Sequence, residues 1–306
     1  QITSAIDYVV SDELPKIYLL SGHGEQALSD NFRSQLTRSN YELTEDFSLL
    51  NVDSIPEDCD TLLINAPTSD ISEQELTLLQ QYLQNGGKLM AFSGPQKETE
   101  LTNLKTLLQD YGVTTAEGVV VDNDREHYAF SAPYVLMPDI ASSEITDPLT
   151  EGAYHVIVPI AQGLTVSGSQ ATALLTTSAE SFAKKAGYAM TTYEKEDGDT
   201  DGPYALAVSV QNAQDGKMVW VASDYLLEDT YNSYSSGANM DLVMNALSWM
   251  IGKNDAVSIR SKSLNNTYLT ISSGAANWLK ACLIGIVPLG VLMLGIDEVL
   301  RRRKTV

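Results

Sequence analysis

Ser72–Phe92 reads SEQELTLLQQYLQNGGKLMAF, and its two halves follow different periods. Ser72 and Glu75 make the S-x-x-E of a capping box, after which Leu76, Leu79 and Leu83 recur at three- and four-residue spacing. Gly86-Gly87 stops this helix, and Lys88-Leu89-Met90-Ala91-Phe92 follows as a short apolar strand closed by Ser93-Gly94-Pro95. A strand without polar alternation is covered on both faces, as in a parallel sheet between layers of helix.

The same alternation extends in both directions. Upstream, Lys16–Leu20 is an apolar strand ending in Ser21-Gly22-His23-Gly24-Glu25, and Leu28, Phe32 and Leu36 stripe the helix that follows. Thr61–Ile64 is the next strand, closed by Asn65-Ala66-Pro67. Downstream, Leu101, Leu104, Leu108 and Tyr111 mark a helix ended by Gly112, and Val119–Val121 leads into Asp122. Strands alternating with amphipathic helices predict an α/β fold, with a mostly parallel sheet and helices on both faces. From about 125 to 200 the rhythm weakens, predicting an irregular insertion with short strands near His155–Val158 and Ala173–Leu175. It returns with a hairpin, Tyr204–Val210 and Met218–Ala222 around Asp215-Gly216. A last helix carries Met240, Val243, Met244, Leu247 and Ile251 before Gly252.

Of the 306 residues 43% are hydrophobic, which excludes a wholly disordered chain. The net charge is −21, and this acidity argues against a nucleic-acid partner. The charge is uneven. Residues 1–276 carry 14 basic and 38 acidic groups, a net of −24, whereas the remainder carries +3.

Between Lys280 and Asp297 lie 16 uncharged residues, ACLIGIVPLGVLMLGI. As helix these reach roughly 24 Å. The hydrocarbon core is roughly 30 Å thick, so Trp278, Leu279, a snorkelling Lys280, Val299 and Leu300 supply the rest. The alternative is a buried core helix, for which Pro288 and three glycines are awkward. The spanning reading places a membrane helix at 277–297. By the positive-inside rule, the basic tail 298–306 lies in the cytoplasm and the domain 1–255 outside, joined by a stalk or closing hairpin at 256–276. The chain starts at Gln1 without a signal-like segment, so membrane sequence N-terminal to it is expected. Cys59 and Cys282 fall on different sides of this division, and their spacing suits neither a disulfide scaffold nor a metal site.

The chain resembles the GldG-like auxiliary membrane proteins of ABC-type transport systems, known from gliding-motility transporters. The resemblance rests on Pro15–Tyr18 running into Gly22-His23-Gly24-Glu25, Asp60–Asn65 with Glu75 and Tyr82, and Gly86–Leu89. It continues through Val119–Asp122, Trp220–Asp224, Asn239–Leu242 and Asn245–Trp249, before a C-terminal apolar helix and Arg-rich end. It implies a glutamine-amidotransferase-like, flavodoxin-like ectodomain and partnership with an ABC permease and ATPase. The sequence contains no Walker A motif, so the ATPase is another chain.

An amidotransferase-like hydrolase would need a nucleophile on a tight turn backed by a histidine. The turn here offers Ser93 outside a G-x-S-x-G context, and none of His23, His127 and His155 has a spacing that proposes a base for it. No catalytic residue, metal or cofactor is therefore assigned. His23 follows a strand at the sheet edge where open α/β folds bind ligands, and Glu25 is expected at the start of the next helix. Asp122 and Asp224 also follow strands. His23, Glu25, Asp122 and Asp224 are thus candidates for a polar-ligand or partner site, against a structural reading in which they serve their own turns. Asp197-Gly198-Asp199-Thr200-Asp201-Gly202 matches half an EF-hand loop, but its twelfth position is Val208, which predicts a solvated hairpin tip. Two functions stay open: a non-catalytic accessory subunit of an ABC transport system, or a membrane-anchored hydrolase or sugar-modifying enzyme.

Overall fold

In the computed structural model, which describes residues 14–252 and 278–304, the chain divides into two units, Gln1–Ser263 and Leu264–Val306. The first unit opens with strand–helix alternation: β1 (Lys16–Leu20), α1 (Asp30–Arg38), β2 (Glu42–Phe47), β3 (Thr61–Asn65), α2 (Glu73–Gln84), β4 (Lys88–Phe92) and α3 (Thr102–Gln109). Short strands follow: β5 (Val113–Thr115), β6 (Val119–Asp122), β7 (Val135–Leu136) and β8 (Asp139–Ile140). After α4 (Asp147–Glu151) come β9 (Val158–Pro159), β10 (Leu164–Val166), β11 (Ala171–Thr176), β12 (Ser181–Lys184) and β13 (Thr200–Asp201). The hairpin β14 (Ala205–Gln211) and β15 (Lys217–Val221), then α5 (Asp229–Tyr234) and α6 (Ala238–Ile251), complete the unit.

Strands β2-β1-β3-β4-β15 lie side by side and parallel, the α/β arrangement the sequence predicts. Beyond β15 the sheet continues antiparallel through β14, β10 and β5, with β11 and β8 joined at β14. Part of the irregular 125–200 segment, strands β8, β10 and β11, is therefore an antiparallel extension of the main sheet. β13-β12-β6 forms a separate three-stranded sheet.

Alternate strand residues face opposite layers because successive side chains point to opposite faces. Ile17, Leu63, Met90 and Val219 pack with Phe32 and Leu36 of α1 and Val243 and Leu247 of α6. Leu62, Ile64, Leu89 and Met218 pack with Leu79 and Leu83 of α2 and Leu104 and Leu108 of α3. Each fully buried aliphatic side chain contributes about 1.5–3 kcal/mol, so the apolar strands hold both layers. After β1 the chain steps to β2 on one side, and then to β3 on the other. The strand order reverses between β1 and β3, with α1 and α2 on opposite faces.

Strand β2, ELTEDF, has no apolar alternation, and the sequence periods give no sign of it. Among the described residues it pairs only with β1, at the sheet edge. The capping box at Ser72 and Glu75 is present. Gly252 ends α6 at φ 76, donating its N–H to the Ser248 carbonyl at 2.9 Å. Burial pushes the Cys59 thiol up to about 11, which leaves it unreactive. The acidic run is not a solvated hairpin tip: it forms the turn before β13 and β13 itself, the Asp199 side chain is buried, and Asp199 and Asp201 have cationic partners. The wholly buried Lys184 ammonium meets Asp199 at 3.3 Å and Glu196 at 2.6 Å, and Lys195 meets Asp201 at 2.6 Å.

The second unit is helical from Trp278, with a π-type turn over Ala281–Ile286 and α7 over Val287–Lys304. Pro288 lacks an N–H for the Ile284 carbonyl, and the wider turn lies just before it. Trp278–Ile296 is long and apolar enough to cross a membrane. The expected stalk or hairpin at 256–276 lies outside the described residues.

Asn239 of α6 is fully buried and accepts from the Ile157 N–H at 2.9 Å, while its amide donates to the carbonyls of Ile157 at 2.8 Å and Leu226 at 3.1 Å. It ties α6 to the irregular segment. Replacing it would strand three backbone groups in the interior. Asn239→Ala is expected to cost about 2–4 kcal/mol, read as a lower urea midpoint with an unchanged slope.

Candidate functional site

The carboxyl ends of β1 and β3, where the strand order reverses, are the place an open sheet of this type offers to a ligand. Here the two loops are joined to each other. The Gln26 N–H donates to the Asn65 carbonyl at 2.8 Å, and the Asn65 amide returns to the Gln26 carbonyl at 2.7 Å. The N–H groups of Thr68 and Ser69 both donate to the His23 carbonyl at 2.9 Å. Gly24 sits at φ 72, and a Cβ there would meet the Thr68 hydroxyl oxygen at 2.1 Å, so the close approach requires glycine.

The His23 side chain fills the space between these loops. Its Nδ1 lies 3.1 Å from Glu25 Oε1, and its Nε2 lies 3.2 Å from both carboxylate oxygens of Glu75. Only 6% of the His23 side chain is exposed, with 7% of Glu25 and 3% of Glu75. A neutral imidazole can donate to one of these carboxylates, and a doubly protonated ring to both. Glu75 serves α2 as well, accepting the Ser72 N–H at 2.8 Å. Burial acts to raise its pKa, but the Ser72 N–H and hydroxyl together with His23 outweigh it and hold the carboxyl below its usual range. A depressed carboxyl gives stability that is present above its unfolded value and lost as pH falls through the folded one.

Glu25 is not at a helix start. α1 begins at Asp30 behind a Ser29 cap, so Glu25 belongs to the preceding turn, where it also accepts the His23 N–H at 2.8 Å. Glu75 escapes a reading of His23 because 52 residues separate them, and its capping role already accounts for its presence.

Asp122 ends β6, in the three-stranded sheet rather than the main one. Its carboxylate is fully buried and accepts the Ser178 hydroxyl at 2.6 Å and the Ser178 and Asp124 N–H groups at 2.9 and 3.0 Å. It fixes two loops. Asp224 follows β15 and does lie at the main sheet's edge, beside the turn after β4. The Gly94 N–H donates to it at 2.7 Å, and a Cβ on Gly94 would lie 3.0 Å from the Asp224 nitrogen. Burial raises its carboxyl to about 6, against the opposing Gly94 hydrogen bond. Ser93 is buried in that turn, with its N–H on the Val221 carbonyl at 3.0 Å. His127 faces Asp124 at 2.9 Å and Asp139 at 3.4 Å, whereas His155 is exposed. The structure therefore brings His23 and Glu25 together and sets Asp224 at the end of β15, three strands from β1, and among the described residues no hydrogen bond joins these three to Asp122. No group of histidine, cysteine and carboxylate side chains among the described residues is arranged to hold a metal ion.

Residues 14–246 match the family described as an ABC-type uncharacterized transport system. No curated protein matches the sequence. Among solved structures, the mmIFT52 N-terminal domain aligns with a TM-score of 0.55 at 17% identity, over 77% of this chain and 96% of that one. This is a likeness of fold. A glutamine amidotransferase from Thermotoga maritima aligns with a TM-score of 0.44 at 9% identity, over 78% of this chain and 99% of that one.

A carboxyl whose folded pKa is raised contributes stability that is complete below its unfolded value and lost as pH rises through the folded one. Asp224→Asn keeps an acceptor for Gly94 without the buried charge. It is expected to stabilise the protein by about 1–2 kcal/mol at pH 8, after discounting for partial exposure, and to change little at pH 4 in thermal melts.

Proposed function

The chain belongs to this ABC-type transport-system family, and on that ground we propose that it is a non-catalytic, membrane-anchored accessory subunit of GldG-like type. Its partners in this reading are an ABC permease and ATPase, consistent with a sequence that lacks its own Walker A motif. The helix Trp278–Ile296 anchors it, the Arg301–Lys304 cluster faces the cytoplasm, and the acidic body at 1–255 lies outside.

Family membership carries this reading. The use of the imidazoles supports the absence of chemistry: His23 is engaged by Glu25 and Glu75, and His127 by Asp124 and Asp139. Among the described residues neither imidazole is hydrogen-bonded to Ser93, and a serine without an adjacent base is a weak nucleophile. The body then acts by shape and charge, presenting a rigid α/β surface to another component.

The full chain, gently solubilised from its native membrane, is expected to co-purify with a permease and an ATPase subunit. Purification without either would overturn the assignment. A C-terminal reporter active only in the cytoplasm is expected to be active, and a silent one would reverse the proposed orientation.

A further inference from the structure

Phe130 and Ser131 both adopt left-handed backbone, at φ 55 and 57, and neither is glycine. Such residues cost free energy and persist where the surrounding structure fixes them. This turn holds a phenyl ring out into solvent: Phe130 is 59% exposed. Its ring lies against Tyr234 of α5, with centroids 4.5 Å apart, and Tyr234 is itself 44% exposed. Tyr231 lies 6.5 Å from Tyr234, and Tyr134 lies 5.6 Å from Tyr193, another ring that is 44% exposed. Tyr134 and Tyr231 pack on one small apolar cluster formed by Ala129, Val135 and Ile157, so the rings make one surface.

This surface has an acidic rim and borders rings that already carry cations. Glu126, Glu194 and Glu228 are exposed near Phe130, Tyr193 and Tyr231 in the chain. Glu228 is the N-cap residue of α5, three positions before Tyr231, so the two lie within one helical turn of each other. The Arg125 guanidinium sits 4.8 Å from the centre of the Tyr128 ring, two residues before Phe130. On another side Tyr188, hydrogen-bonded to Tyr225, carries the Lys97 ammonium at 4.7 Å. A neutral ligand could stack on the rings but would leave the carboxylate rim unused. In a body of net charge −24, electrostatic complementarity favours a cation.

We propose that the face built by Phe130, Tyr134, Tyr193, Tyr231 and Tyr234 docks an arginine-rich segment of a partner protein, with guanidinium groups on the rings and the rim carboxylates as counter-charges. Identifying that partner as a transporter subunit rests on the function proposed above; the chemistry of the face does not.

The test uses the full chain in detergent and a fluorescent peptide of four Arg-Gly repeats, with a Glu-Gly peptide as control. The triple variant F130A/Y193A/Y234A changes exposed rings and no charge, whereas D53N/E57Q removes two exposed charges from the connection before β3. The Arg-Gly peptide is expected to bind the wild type, to bind the triple variant at least about tenfold more weakly, and to bind D53N/E57Q within about twofold of wild type. Equal binding by the triple variant, or equal weakening by both variants, would overturn the proposal. So would a neutral oligosaccharide that displaces the peptide or binds in its place. If wild type retains the transporter subunits and the triple variant retains them equally, this inference fails alone; if wild type retains none, the proposed function fails while the peptide result still judges the face.

Discussion

A buried imidazole between two carboxylates fills the space between the loops after β1 and β3, where the strand order reverses. The β1 and β3 loops diverge at the strand-order reversal, and without a filler their ends would leave a polar crevice. His23 bridges Glu25 in its own turn and Glu75 in the first turn of α2, and the backbone bonds between the loops follow its line. Glu75 couples that bridge to the helix cap, so the loop after β1 and the start of α2 share one set of contacts. Buried charges are tolerated only when paired and hydrogen-bonded. Here one imidazole serves two carboxylates, and Glu75 Oε1 keeps only its 3.2 Å approach to the ring, without a hydrogen bond among the described residues.

Fold and function are separable, and function resides in the site. At the switch point the titratable groups are spent on one another. At the end of β15 Asp224 is held by Gly94, and in the second sheet Asp122 is held by Ser178. What the body presents outward is a heavily acidic surface and a set of tyrosine rings built largely by the irregular segment. That segment therefore both extends the sheet antiparallel and carries the exposed ring of Phe130.

The α/β core was legible because its signals are local: apolar runs, leucine spacing, a capping box and glycine stops. The apolar helix near the C-terminus was legible for the same reason. Strand β2 was hidden because an edge strand solvated on its outer side needs no apolar alternation. The antiparallel extension was hidden because strands of two or three residues carry too little period to read. Of the candidate site, the turn around His23 could be located from its glycines and the preceding strand. Its partner Glu75 could not, since long-range pairing of a histidine and a carboxylate leaves no local trace. Asp122 looked equivalent to Asp224 because both follow strands, and only pairing of β6 with β12 separates them.

A double-mutant cycle between His23 and Glu75, using His23→Gln and Glu75→Gln in urea unfolding of the full chain, tests the central role of this bridge directly. Gln at position 75 can still serve the helix cap, so the cycle isolates the side-chain pair. Each single change is expected to destabilise, and the double variant to lose less than their sum by about 1–3 kcal/mol. Additive losses would contradict the account, because they would mean that the imidazole and the carboxylate stabilise the protein independently and that the switch point is not held by their pairing.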